Sequence, residues 1–175
     1  MELANQEDVL ELEDQEQEVE KGIRIQLIVF KLGEEEYALP IEQIKEVVLT
    51  PRISPMPQTP DYVKGIANIR GNVIAIMDFE QKFGLKPNKK KLNNGTVNYT
   101  LVIESEDHNV GILVNDVPNT LSVLSSKIDD SSNIIQHTSL DESVIKGVVK
   151  TKEKMIILID VMTMMSSGEL KTEVA

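Results

Sequence analysis

Two strand–turn–strand units of equal length, one in each half of the chain, restrict how this sequence can fold. Residues 63–78 run from an apolar start through Gly65 and an Asn-Ile-Arg-Gly turn into an apolar stretch closed by an Asp. Residues 145–160 repeat the Gly-to-Asp spacing from Gly147. Glycine permits close backbone approaches, and short apolar runs bounded by turn residues are typical of buried strands. An internal repeat of this kind predicts two similar β-lobes.

Weaker echoes extend the repeat beyond these units. Residues 27–30 resemble 100–103 in their apolar character. Each lobe would then hold about five short strands, and β-units of that size close into barrels to avoid free edges. A second set of apolar residues with the same spacing supports this correspondence between the two halves: Ile41, Ile44 and Val48 correspond to Val114, Val117 and Leu121.

Local signals place the elements between these landmarks. Residues 24–32 and 35–39 read as a hairpin, 50–60 as a proline-rich extended loop, 78–83 as a short helix, and 86–95 as a polar connector. The predicted organisation is a tail over 1–22, a folded domain over 23–166 with lobes at about 24–85 and 96–165, and a C-terminal tail over 167–175.

The net charge of −11 belongs to a tail rather than to the folded domain. Residues 1–20 hold nine acidic residues and no Lys or Arg, which leaves 20 acidic residues (29 less those nine) against 18 basic ones. Such a composition predicts a disordered tail, with an acidic interaction arm as the alternative. The absence of a basic, aromatic-rich footprint argues against nucleic-acid binding.

The sequence offers little for catalysis, disulfides or membrane insertion. It contains no Cys and no apolar run long enough to span a bilayer, so we expect a cytoplasmic protein. His108 and His137 lie in polar stretches, and no phosphate-binding loop or nucleophile elbow is present. We therefore predict no catalytic residue, no cofactor and no metal site.

The segment around residue 70 resembles the signature of the CheW family, the adaptors that link chemoreceptors to a histidine kinase in bacterial chemotaxis. The resemblance continues through 27–41 and 110–117 and so covers about 24–165. It departs at Ile69, where the family has Leu, and at Ala75, where the family has Pro. The matching positions are Gly65, Asn68, Arg70, Gly71, Asp78 and Phe79.

The resemblance implies a mostly β fold of two five-stranded SH3-like barrels packed side by side, with short helices. It also implies a non-catalytic adaptor, recruited to receptor arrays at the inner face of the membrane. The implied partners are the regulatory domain of a CheA-type histidine kinase and the cytoplasmic tip of methyl-accepting chemoreceptors. An adaptor of another receptor–kinase pathway, such as surface motility, stays open, as does a small β-barrel enzyme.

The same resemblance assigns candidate interface residues. Ile44 and Glu46 match the kinase-facing strand, and Arg70, Gly111, Val117 and Thr120 match the receptor groove. Core burial is the alternative for Ile44 and Val117. In the second repeat unit, residues 150–153 stand where the first unit has its Asn-Ile-Arg-Gly turn, and they contain no Arg. An Arg at this place is therefore not needed to build a lobe. We predict that Arg70 pairs with Glu46.

The acidic tail is predicted to be dispensable for folding, because it offers no sustained apolar face to pack. A chain starting at Gly22 should unfold cooperatively with a midpoint within a few degrees of the full chain. Loss of cooperative thermal unfolding would show that the tail belongs to the core.

Overall fold

The protein is built on two β-sheets. The computed structural model describes residues 22–85, 97–105, 109–129 and 144–166. Residues 1–21 and 167–175 of the predicted tails, the whole polar connector, His108 and His137 lie outside these residues. The strands are β1 (Arg24–Leu32), β2 (Glu35–Pro40), β3 (Ile44–Leu49), β4 (Val63–Ile69), β5 (Asn72–Met77), β6 (Tyr99–Glu104), β7 (Asn109–Val114), β8 (Asn119–Leu124), β9 (Ile128–Asp129), β10 (Ile145–Lys150) and β11 (Met155–Ile159), and the α-helices are α1 (Phe79–Lys82) and α2 (Val161–Ser166).

The first sheet has the order β8-β1-β2-β11-β10-β9 and is antiparallel except for the parallel pair β2–β11. Its two outer strands, β8 and β9, are parts of one segment interrupted by the 3-10 turn Ser125–Lys127. That bent segment lies on both edges of the sheet and closes it into a barrel. We call this closed sheet the terminal barrel, because its strands come from both ends of the described chain.

The second sheet has the order β3-β6-β7-β5-β4, with β5 and β7 parallel. The chain continues past β3 and bends back to β4, where Ser54 and Ile66 exchange two backbone hydrogen bonds of 2.8 and 2.9 Å. This bridge closes the sheet into a second barrel, the central barrel. Closure in both cases removes the free edges that an open sheet of this size would expose.

The predicted mostly β architecture of two barrels is confirmed, but the strands do not divide at the connector as expected. The hairpin β1–β2 belongs to the terminal barrel together with β8–β11, whereas β6–β7 belongs to the central barrel together with β3–β5. Each half of the repeat therefore gives its first hairpin to the barrel of the other half. The lobe boundaries of about 24–85 and 96–165 need this correction, because similarity between repeats does not indicate which copies pair.

The two repeated glycines occupy equivalent positions, but within strands rather than at turns. The pairing register shifts between Val63 and Gly65 in the central barrel and between Ile145 and Gly147 in the terminal barrel. Gly65 has φ +142°, and a Cβ on it would stand 2.1 Å from the carbonyl oxygen of Ser54. A Cβ on Gly147 would stand 2.7 Å from Ile128 Cγ2. Both glycines thus allow the bent closing segment to approach.

Three apolar clusters hold the barrels together. One fills the interior of each barrel, and the largest lies between them, where Tyr37 of the terminal barrel stacks on Phe83, which packs against Phe79. The buried Tyr37 hydroxyl donates to Glu35 Oε2 at 2.7 Å, and burial raises the pKa of Tyr37 well above its ordinary value. The largest cluster, which lies between the barrels and which we call the central cluster, therefore makes one rigid body of the two barrels.

A short helix follows the last strand of each repeat and is capped in the same way. The Asp78 carboxylate accepts from the backbone N–H of Gln81 at 3.2 Å, and the Asp160 carboxylate accepts from that of Thr163 at 3.0 Å. Such side-chain caps satisfy backbone donors that have no partner within the helix. The predicted helix at 78–83 is confirmed, and the repeated Asp is its N-cap.

Gly65→Ala should destabilise the protein strongly, because the new methyl group meets the Ser54 carbonyl at a backbone conformation that favours glycine. We expect a loss of more than about 3 kcal/mol in the free energy of unfolding, measured by denaturant titration. Gly71→Ala is the matched control. Gly71 has φ +84° with no atom within 4 Å of an added Cβ, so it should lose only about 1–2 kcal/mol. Equal losses would show that barrel closure at Ser54 is not the constraint.

Candidate partner-binding surfaces

Arg70 is presented on a tight two-residue turn at the tip of the β4–β5 hairpin. Ile69 pairs with Asn72 across this turn, and Arg70 and Gly71 have φ +52° and +84°. Positive φ at both central residues is the requirement of a type I′ hairpin turn. The Asn68 side-chain oxygen accepts from the Gly71 N–H at 2.9 Å, which fixes the turn. The Asn-x-Arg-Gly pattern thus sets the position of the Arg.

Arg70 forms the predicted ion pair with Glu46. Its Nε lies 2.7 Å from Glu46 Oε2; the Arg side chain is 77% exposed and the Glu side chain 18% exposed. The pair joins the β4–β5 hairpin to β3 across the mouth of the central barrel. An ion pair with one partner in water contributes about 0–1 kcal/mol, so its value lies in positioning rather than stability.

Strand β3 alternates between partly buried and exposed residues. Ile44 is half-buried and packs against the central cluster, so core packing accounts for part of its apolar character. The neighbouring Val47 and Leu49 are 41% and 62% exposed. These two apolar side chains, together with the Glu46–Arg70 pair, form the surface that we call the β3 face.

The residues assigned to a receptor groove come from both barrels. Val117 is 61% exposed and Thr120 is also exposed, and both lie near β8 of the terminal barrel. Arg70 instead stands at the mouth of the central barrel. Gly111 is buried in β7, where an added Cβ would stand 2.6 Å from Thr100 Cγ2. The geometry therefore gives Gly111 a packing role, because a larger residue would displace its neighbours.

Two adjoining cavities mark the surface around Val117 and Thr120. One, of about 320 Å³, is lined by Val117 and Asp116; the other, of about 370 Å³, is lined by Thr120 and Leu121. They share Val29, Glu36 and Asn119 as a common wall. We call this continuous region the β8 face.

Charged groups hold the margin of the β8 face in place. Lys154 Nζ donates to Glu36 Oε1 at 2.8 Å, and this hydrogen bond raises the pKa of Lys154. Glu80 Oε1 accepts from the Gly33 N–H at 3.0 Å and from Asn115 Nδ2 at 3.4 Å. Glu80 thus links helix α1 to the β1–β2 turn and to the loop that carries Val117.

Sequence reasoning missed the exposed apolar residues of the central barrel, Val47, Leu49 and Val73. The alternation along β3 offered a signal. Lys45, Val47 and Leu49 are every second residue and so lie on one face of the strand, and the Lys indicates that this face is exposed to solvent.

Within the described ranges, acidic and histidine side chains do not gather in a group able to hold a metal ion. The helices in the same part of the chain are too short to span a membrane. The two surfaces described above, the β3 face and the β8 face, are the candidate sites.

These features define a rigid pair of small β-barrels with separate exposed faces, the architecture of a binding module. The chain belongs to the CheW-like domain family, which matches residues 26–169. It is 28% identical over 148 residues to the chemotaxis protein CheW of Treponema pallidum, covering 85% of this chain and 86% of that protein. It is 31% identical over 137 residues to CheW of Helicobacter pylori, covering 78% and 79%.

The same fold is found in a solved structure. The crystal structure of the scaffolding protein TtCheW from Thermoanaerobacter tengcongensis superimposes with a TM-score of 0.68 at 28% sequence identity. The match covers 79% of this chain and 86% of that chain. The two-barrel fold predicted from the sequence is thus the fold of this family.

Arg70→Ala should cost less than about 1 kcal/mol in the free energy of unfolding, because the guanidinium is mostly in water. Arg70→Gly, which also relieves the positive φ, should be at least as stable as the unsubstituted chain. The double exchange Glu46→Arg with Arg70→Glu should be more stable than Glu46→Arg alone, which sets two cations side by side. A loss above about 2 kcal/mol for Arg70→Ala in denaturant titration would contradict a positioning role.

Proposed function

We propose that this protein is a non-catalytic adaptor that couples chemoreceptors to a CheA-type histidine kinase in chemotaxis arrays. The observation that carries the proposal is the presence of two separate exposed faces on one rigid body. The β3 face belongs to the central barrel and the β8 face to the terminal barrel, and the central cluster fixes one relative to the other. The names of the family members similar to this chain support the same role.

The β3 face is the proposed docking surface for the regulatory domain of the kinase. Val47 and Leu49 offer apolar area, and the Glu46–Arg70 pair adds charges of both signs at its margin. Exposed apolar residues rimmed by polar ones are typical of protein-binding sites. Ile44 supports this face from beneath rather than forming its surface.

The β8 face is the proposed docking surface for the cytoplasmic tip of the receptor. It combines exposed Val117 and Thr120 with two adjoining cavities, which suits the ridged surface of a helical hairpin. Arg70 belongs to the other barrel, where it pairs with Glu46. Its direct contacts are proposed to be with the kinase side.

The proposed mechanism is positional. Binding of both partners to one rigid body places receptor tip and kinase in fixed geometry and raises the effective concentration of one for the other. No chemical step by the adaptor is needed for this. Its place in the cell would be the cytoplasmic side of receptor arrays, reached through the receptor.

Leu49→Asp should weaken capture of the kinase regulatory domain by about 2 kcal/mol, because a charge opposes desolvation of the β3 face. Ile23→Asp, at an exposed apolar residue that directly precedes β1 of the terminal barrel, is the control and should bind normally. Both variants should keep the unfolding midpoint of the unsubstituted chain. Ile44→Asp should instead lose stability, since Ile44 packs against the central cluster.

Calorimetric titration with the regulatory domain checks these expectations. Equal affinity for Leu49→Asp and Ile23→Asp would remove the β3 face from the kinase interface. Absence of binding to the unsubstituted chain, for both the kinase domain and a receptor fragment, would contradict the adaptor function itself.

A further inference from the structure

A third cavity opens at the end of the terminal barrel where β1 begins. Its volume of about 720 Å³ lies within the range of about 300–1,000 Å³ that is usual for ligand-binding clefts. None of the residues that line it lines either cavity of the β8 face. We call it the basal cavity, and its lining includes Arg24, Ile25, Glu42, Ile128, Lys146 and Leu158.

The basal cavity has apolar walls and a charged rim. Leu158 is buried, and Ile25 and Ile128 are half-buried. The charged side chains of the lining are exposed, and they are Arg24, Glu42 and Lys146. Such a site suits a ligand that carries both apolar and charged groups, because apolar surface buries against the walls while charges stay at the solvent margin.

The charge of the rim favours an acidic ligand. The rim holds two cations, Arg24 and Lys146, and one carboxylate, Glu42, so its net charge is +1. Lys127, directly before Ile128 in the chain, adds a further exposed cation beside it. Within the described ranges, no carboxylate pairs with Lys146. In the larger cavity of the β8 face, by contrast, positive and negative residues are equal in number.

The N-terminal tail has a composition complementary to this cavity. Residues 1–20 hold nine acidic residues and no Lys or Arg. Residues 9–14 combine apolar side chains with carboxylates, in the order Val9, Leu10, Glu11, Leu12, Glu13 and Asp14. This segment therefore offers both kinds of group that the cavity can hold.

The tail is attached at the rim of the basal cavity. The Ile23 carbonyl accepts a hydrogen bond of 2.8 Å from the backbone N–H of Ser125, which lines the cavity, and the next residue, Arg24, lines it too. Residues 15–21 separate the segment 9–14 from Gly22, and a connection of that length spans at most about 25 Å. The segment can therefore return to the cavity, and the short connection keeps its effective concentration there high.

We propose that the acidic tail is an intramolecular ligand of the basal cavity. Residues 9–14 place their apolar side chains against Ile25, Ile128 and Leu158, and their carboxylates pair with Arg24 and Lys146. The docked tail then shields the apolar walls from other proteins. The inference does not depend on the proposed function, because it concerns a cavity apart from both partner-binding faces.

The docking is weak and reversible. Exposed ion pairs are individually weak and are screened by salt, and the tail reaches the cavity only because it is tethered beside it. This agrees with the expectation that a chain starting at Gly22 unfolds near the midpoint of the full chain. The tail is thus a cover for the barrel end rather than a part of the core.

A spin label in the tail of the full chain tests the proposal. The sequence contains no Cys, so Gln15→Cys places a nitroxide at one position, directly after residues 9–14. The label should broaden the methyl resonances of Ile128 and Leu158 and leave those of Val48 and Ile74 in the central barrel sharp. Raising the salt concentration to about 0.5 M, where charges are strongly screened, should weaken the broadening.

Charge reversal at the rim supplies the matched comparison. Lys146→Glu should reduce the broadening roughly threefold or more, because it replaces an attraction with a repulsion. Lys150→Glu is the control, since Lys150 is also exposed on β10 but lies about 13 Å further along the strand, outside the basal cavity. It should leave the broadening unchanged. Leu10→Ser combined with Leu12→Ser should remove most of the broadening without any change in charge.

Unshifted methyl resonances of Val48 and Ile74 show that each variant is folded. Full broadening in Lys146→Glu, or an equal fall in Lys146→Glu and Lys150→Glu, would overturn the proposal. Broadening in a mixture of spin-labelled chains and separate isotope-labelled chains would assign the cavity to the tail of a second copy and would also overturn it. Neither readout involves the kinase domain or a receptor fragment, so failure here leaves the adaptor function standing.

Discussion

The apolar cluster between the barrels is the constraint on which the rest of the structure depends. Because each half of the repeat gives a hairpin to the other half's barrel, neither half holds a complete barrel. The exchanged strands carry Phe30 and Tyr37 from one barrel and Ile103 and Ile112 from the other into one cluster. Folding of the barrels is thereby coupled, and their outer faces keep a fixed relation.

Barrel closure uses the same device twice. A strand bends across the sheet and approaches a glycine in a neighbouring strand, Gly65 in one case and Gly147 in the other. Glycine is required at this position because a Cβ would collide with the approaching segment, not because the position lies in a turn. This explains why the Gly-to-Asp spacing recurs: the glycine marks closure, and the Asp caps the helix that follows.

The repeat also shows how two similar barrels acquire different surfaces. Glu46 and Arg70 bridge the mouth of one barrel, while Asn119 and Lys152 line a cavity on the other. Neither arrangement changes the strand order. A small number of side chains at the rim, which add little to stability, therefore give the two barrels different surfaces.

The sequence by itself determined the barrel elements, the repeat and the capped helix, because each follows from apolar patterning, local turn chemistry or the family signature. The Glu46–Arg70 pair was a hypothesis until the tertiary structure brought the two side chains together. Tertiary structure alone decided which hairpin joins which barrel, since the sequences of two similar repeats are compatible with either arrangement. It also decided that Gly111 is buried, that Ile44 packs inward, and that Val47 and Leu49 face outward. Those outcomes depend on register shifts and barrel closure, which are set by contacts between residues far apart in the chain.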